Sequence, residues 1–133
     1  MDYKIESFDK FNDTRGDLVV FLKNSNLARK QKEFGQIYFV TFGKKGVIRG
    51  NHYHKKWREW FGIVNGVLRV KLKDRKTGKV KRLTLSAKTN NYTRLEIGPN
   101  IIHAFKSVTK ASLLNYTDKE WSSDDTFAET ILT

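Results

Sequence analysis

The chain has no cysteine, one proline, one methionine and three histidines among 133 residues. Without thiols it can form neither a disulfide framework nor a thiolate metal site, and it has no cysteine nucleophile. No apolar run approaches the ~20 residues that a membrane span needs. The opening residues 1–10 lack the basic-then-apolar layout of an export signal, so a soluble cytoplasmic chain without membrane contact is expected. Acidic residues are also scarce, 14 against 26 Lys and Arg, which leaves a net charge of +12. A surplus of that size favours an anionic partner and says nothing about fold. What the chain does have is apolar and aromatic residues in number, too many for disorder, and a length suited to one core.

Short apolar runs between polar turns predict a mostly β chain. Strands are expected at 18–22, 35–41, 59–64, 67–73, 80–87, 92–97, 102–108 and 112–117, with a loop or short helical turn over 23–33. In the run from Val67 to Lys73, Leu68, Val70 and Leu72 alternate with Arg69, Lys71 and Lys73, giving one apolar and one basic face. Leu83 and Leu85 should likewise face in while Arg82 and Thr84 face out. Asn65-Gly66 is the strongest hairpin signal. No stretch between 35 and 117 carries a helical period, so a sandwich or small barrel is expected. The whole of 1–133 is expected to be one domain. It divides into an N-terminal strand segment 1–34, a core of about 35–117 and an acidic tail 118–133 that lies over the body.

All three histidines fall in one pattern. His52 and His54 flank Tyr53, so both rings point to the same side of an extended segment. Glu59 follows, and His103 comes after the turn Gly98-Pro99-Asn100. Converging in a barrel, His52, His54, Glu59 and His103 would suit a divalent metal such as Zn, Fe, Mn or Ni. Asn100 is suited to the left-handed backbone such a turn uses.

The spacing Gly46, five residues, His52-x-His54, four residues, Glu59, six residues, Gly66 is that of the first cupin motif. Residues 97–105, around Pro99 and His103, resemble the second. The resemblance covers about 35–117 and implies an all-β double-stranded β-helix, or jelly roll. Asp13 to Gly16 and Arg49-Gly50-Asn51-His52-Tyr53-His54 are similar to segments of dTDP-4-dehydrorhamnose 3,5-epimerases and dTDP-4-keto-6-deoxyglucose 3,4-ketoisomerases. The second segment also resembles the cupin domain of capsular UDP-sugar synthesis enzymes.

The resemblance implies an isomerase or epimerase of nucleotide-linked 4-keto-6-deoxyhexoses in surface polysaccharide synthesis. It would have no required cofactor, or a divalent metal, and would form a homodimer. It makes His52 the base and puts Arg49 near the sugar or phosphate. The charge that builds on the ketone oxygen needs a fixed cation or donor, for which His54, Arg49 or a bound metal are the candidates. A base of near-neutral pKa suits removal of a proton beside a ketone. The epimerases' late tyrosine aligns with Asn115, which speaks against 3,5-epimerase activity. Tyr38, Tyr92 and Tyr116 remain as acid candidates. Arg49, Lys71, Arg94, Trp60 and His103 are candidates for substrate contact, with Trp57 and Phe61 as aromatic neighbours. Two other readings stay open. One is a metal-dependent cupin of another class, a dioxygenase or sugar-phosphate isomerase. The other is a non-catalytic sugar- or nucleic-acid-binding module. No nucleic-acid motif is present and the basic residues are spread along the chain, so nucleic acid is not the expected partner.

Overall fold

The computed structural model describes all 133 residues. Twelve strands form: β1 (Tyr3–Asp9), β2 (Phe11–Asp13), β3 (Gly16–Leu18), β4 (Gln36–Phe42), β5 (Ile48–Tyr53), β6 (Glu59–Asn65), β7 (Val67–Asp74), β8 (Val80–Ser86), β9 (Asn91–Ile97), β10 (Ile101–Ser107), β11 (Ala111–Thr117) and β12 (Phe127–Ala128). They build two antiparallel five-stranded sheets, β1-β9-β6-β11-β4 and β12-β5-β10-β7-β8, with β2-β3 as a separate ribbon. This is the expected double-stranded β-helix. No helix is long and apolar enough to cross a membrane.

The alternation of β7 decides its orientation. Leu68, Val70 and Leu72 are buried in the core, and Arg69, Lys71 and Lys73 face outward. Phe42, Phe61, Ile63, Leu85, Leu95, Ile97, Phe105 and Leu113 complete the inner layer from both sheets. Each such side chain contributes about 1.5–3 kcal/mol by leaving water. The polar stretch 23–33 forms two short 3-10 turns, Asn24–Asn26 and Arg29–Gln31, as expected.

Two expectations need correction. Asn65-Gly66 does not close a hairpin, because β6 lies in the first sheet and β7 in the second. The chain passes between sheets there. Gly66 has φ +78°, and an added Cβ would collide with the Lys110 carbonyl and Ala111. Close backbone approach, not a two-residue turn, therefore demands the glycine. The strand expected over 18–22 ends at Leu18. Beyond it the chain runs over the outer face of the first sheet, where the Phe21 carbonyl accepts from the Arg94 guanidinium instead of a neighbouring strand.

The tail lies over the body. β12 pairs with β5, and Asn51 holds the residues that follow. Its Oδ1 accepts the Ile131 and Leu132 N–H groups, and its Nδ2 donates to the Leu132 carbonyl.

Candidate active site

β5 and β10 carry the three imidazoles to one place. His52 lies directly opposite His103 in the ladder, and the register then shifts so that Ala104 faces Gly50. Asn51 is the extra residue at this bulge, in the left-handed region at φ 57°. Bulges re-aim side chains, and here the result is that three rings meet. Their centroids are 5.0 Å (His52–His54), 4.8 Å (His52–His103) and 5.7 Å (His54–His103) apart. Asn100 has φ 64°, as its place in the turn predicts, and its N–H donates to the His54 carbonyl.

Glu59, at the start of β6, points into the barrel behind these rings. Its Oε2 is 3.3 Å from Nε2 of His103 and 3.8 Å from Nε2 of His54. The Trp57 indole N–H and the Asn115 amide approach the same carboxylate without closing a hydrogen bond. Trp57 also stacks on His54, centroids 4.0 Å apart.

Burial governs the protonation of the group. It pushes His52 down to about 3, with the neighbouring imidazoles adding to the effect. It lowers His103 to about 4 and raises Glu59 to about 7. It also lowers His54, against the opposing pull of Glu59. Low-dielectric surroundings disfavour every charged form, so the rings are neutral at pH 7.

His52 and His103 line a hollow of about 200 Å³ together with Tyr38, Arg49, Phe61 and Phe105. Arg49 stands exposed at its mouth, over the Phe42 ring, with Nε donating to the Thr41 carbonyl. Burial raises the Tyr38 hydroxyl above its usual range, so it stays a proton donor.

The structure does not bring the other candidates here. Arg94 is buried on the outer face of the first sheet, bonded to the Phe21 carbonyl, Asn26 and Glu6. Trp60 is on the same outer face, its indole N–H donating to Glu96. Tyr116 follows Asn115 and so faces the opposite way, its hydroxyl against the Gln31 and Glu33 carbonyls. Tyr92 packs near Phe8 under the N-terminal segment. Lys71 points away from the barrel, with Nζ donating to the Ile131 carbonyl. Alternation hides this outcome, because a polar residue on a strand reads the same whether its face meets solvent, substrate or another segment.

Asp125 was not legible as a site residue. It is buried in the tail, its carboxylate accepts the N–H groups of Lys55 and Lys56, and its carbonyl accepts Nδ1–H of His54 at 2.7 Å. Seventy-one residues separate it from His54, and no local signal marks such a contact.

The donor set fits a divalent ion. Ring nitrogens of His52, His54 and His103 all lie within 4.8 Å of one another. Ligand atoms around a tetrahedral ion are ~3.4 Å apart, close to the Glu59 distances.

A jelly roll with a histidine-lined hollow is the architecture of a cupin. The chain belongs to the polysaccharide biosynthesis C-terminal domain family, whose sequence profile matches residues 11–127. Among solved structures, a 3,4-ketoisomerase from Helicobacter canadensis is 26% identical, with a TM-score of 0.79 over 97% of this chain and 92% of that one. The sugar 3,4-ketoisomerase QdtA from Thermoanaerobacterium thermosaccharolyticum, solved with TDP, is 21% identical, with a TM-score of 0.78 over 95% and 87%. ChmJ, a 3'-monoepimerase from Streptomyces bikiniensis solved with dTDP-quinovose, is 16% identical, with a TM-score of 0.80 over 95% and 68%. No curated protein matches the sequence.

Proposed function

We propose that this chain isomerises a nucleotide-diphosphate-linked 4-keto-6-deoxyhexose, moving the ketone between C4 and C3. The observation that carries the reading is the meeting of His52, Tyr38 and Arg49 at one hollow. The imidazole on its wall is neutral and can take a proton, though burial makes it a weaker base than the near-neutral one expected from the sequence. The phenol is held protonated and can donate, and an exposed guanidinium binds phosphate.

His52 takes the C3 proton, and the electron pair of that bond forms C3=C4 while charge moves onto O4. Tyr38 donates a proton to O4, giving an enediol. Loss of the O3 proton and return of a proton to C4 then leave the ketone at C3 and a hydroxyl at C4. Developing charge on O4 is stabilised by fixed donors placed before the reaction starts. When bound by His52, His54, His103 and Glu59, a divalent ion would supply Lewis-acid stabilisation of that oxygen.

Isomerisation is favoured over 3,5-epimerisation by Asn115. In sequence it aligns with the late tyrosine that serves as acid in the epimerases, and an amide is no proton donor at neutral pH. The dTDP-linked sugar is the substrate favoured by the similar ketoisomerases. A homodimer is supported by Phe34, Ile37, Phe39 and Val64, large apolar side chains exposed on the outer face of the first sheet, where β4 is an edge strand.

Incubation with dTDP-4-keto-6-deoxyglucose in deuterated water tests the reading. Deuterium should enter the sugar ring as the 3-keto product forms, and His52→Asn should abolish both without unfolding the protein. Unchanged turnover in that variant would remove His52 as the base.

A further inference from the structure

Four cations stand together on the face of the β12-β5-β10-β7-β8 sheet that looks away from the barrel. In the ladder Lys71 lies directly opposite Arg82, and Arg69 lies directly opposite Lys106. Like charges in directly opposed positions destabilise a sheet. Two such pairs occur here in neighbouring rows, ~7 Å apart along the strands.

No Asp or Glu side chain neutralises them. None of the four forms an ion pair, and the Glu129 carboxylate that reaches this face is engaged by Lys73. Lys71 donates to the Ile131 carbonyl at 2.7 Å, and Lys106 to a backbone oxygen of the last residue, Thr133, at 3.2 Å. The four side chains, with Thr84 and Leu132, enclose a concavity of about 350 Å³. That is the size of a small-ligand pocket and unlike the extended stripe that follows a duplex. Two guanidinium forks, two ammonium groups and a hydroxyl are donors, with no Asp or Glu side chain among the lining residues, a set that matches phosphoryl oxygens.

We propose that this outer face is a second anion site, taking a compact polyanion of the diphosphate type, with one phosphoryl group for each cross-strand cation pair. It is separate from the histidine hollow. His103 and Phe105 point into the barrel from β10, while Lys106 alternates to the other side of the same strand. The concavity is bordered on one side by the tail, so an occupant also contacts Leu132.

Inorganic pyrophosphate is the probe, titrated into the full chain at constant ionic strength while backbone amide resonances are followed. Saturable shifts are expected at Arg69, Arg82, Thr84, Lys106 and Leu132. The double variant Arg69→Gln with Lys106→Gln should weaken them at least tenfold, whereas Arg49→Gln at the hollow should leave them unchanged. Without anion, the double variant should melt no lower than the parent chain, because it relieves repulsion. Three results would each overturn the site: chloride producing the same shifts at equal ionic strength, shifts confined to Tyr38, Arg49 and His52, or single-stranded nucleic acid displacing pyrophosphate at far lower phosphate concentration. Failure of the ketone-shift reaction would leave this outcome untouched, since none of these variants alters His52.

Discussion

Nε2 of His103 stands 3.3 Å from Oε2 of Glu59, and the far nitrogen of each ring facing this carboxylate is already committed. Nδ1 of His103 is 3.1 Å from the Ile101 carbonyl, and Nδ1 of His54 is 2.7 Å from that of Asp125. Carbonyls only accept, so each Nδ1 carries hydrogen and each neutral ring turns a lone pair toward Glu59. Two lone pairs and a carboxylate cannot share a dry space without a cation between them. Burial raises Glu59 to about 7 and lowers His103 to about 4, which puts the proton on the glutamate.

Glu59→Gln should therefore be mild for stability, because an amide N–H replaces the acid proton. Glu59→Leu leaves ring nitrogens unpaired and should cost about 1–3 kcal/mol. Urea unfolding of the two variants checks the contrast, and equal losses would contradict the shared proton.

The same shifts set a stability profile. His52, His54 and His103 have lowered folded values, so the unfolded chain binds more protons below 6.5 and acidification from there destabilises the fold. Glu59 has a raised value, so it favours the fold below 4.5 and that contribution is lost as pH rises toward 7. Between 4.5 and 6.5 three imidazoles oppose one carboxyl. Their joint contribution should peak near pH 6.5, as thermal melts of the parent chain and His103→Gln across pH 4–8 can measure.

Asp125→Ala removes the acceptor of the Lys55 and Lys56 N–H groups and loosens the segment whose carbonyl orients His54. A stability loss of about 1–3 kcal/mol is expected. Turnover should fall with little change in KM, because the lost contact orients the His54 ring; a pure KM effect would argue against an orienting role.

Arg94→Met should destabilise by about 1–3 kcal/mol through the stranded Phe21 carbonyl. Per folded molecule, exchange of the sugar proton should be unchanged. A specific loss of substrate affinity would restore Arg94 to the substrate contacts.

Gly50→Ala tests the bulge. Gly50 has φ +92°, and a Cβ there would come 2.6 Å from the His103 carbonyl oxygen. Both backbone strain and this collision push β5 from β10, so activity should drop more than tenfold while the β circular-dichroism signal persists.

The sequence by itself determined the strands whose side chains alternate, such as β7, and the cluster of His52, His54, His103 and Glu59. Strand period and motif spacing are local quantities, so a single chain displays them. Only the tertiary structure decided that β6 and β7 part into different sheets at Gly66 and that Asp125 reaches His54. Chain folding likewise sent Arg94 and Trp60 beneath the N-terminal segment and gathered Arg69, Lys71, Arg82 and Lys106 on one face. Each of these depends on what covers the second side of a sheet, and that is set by contacts between residues tens of positions apart.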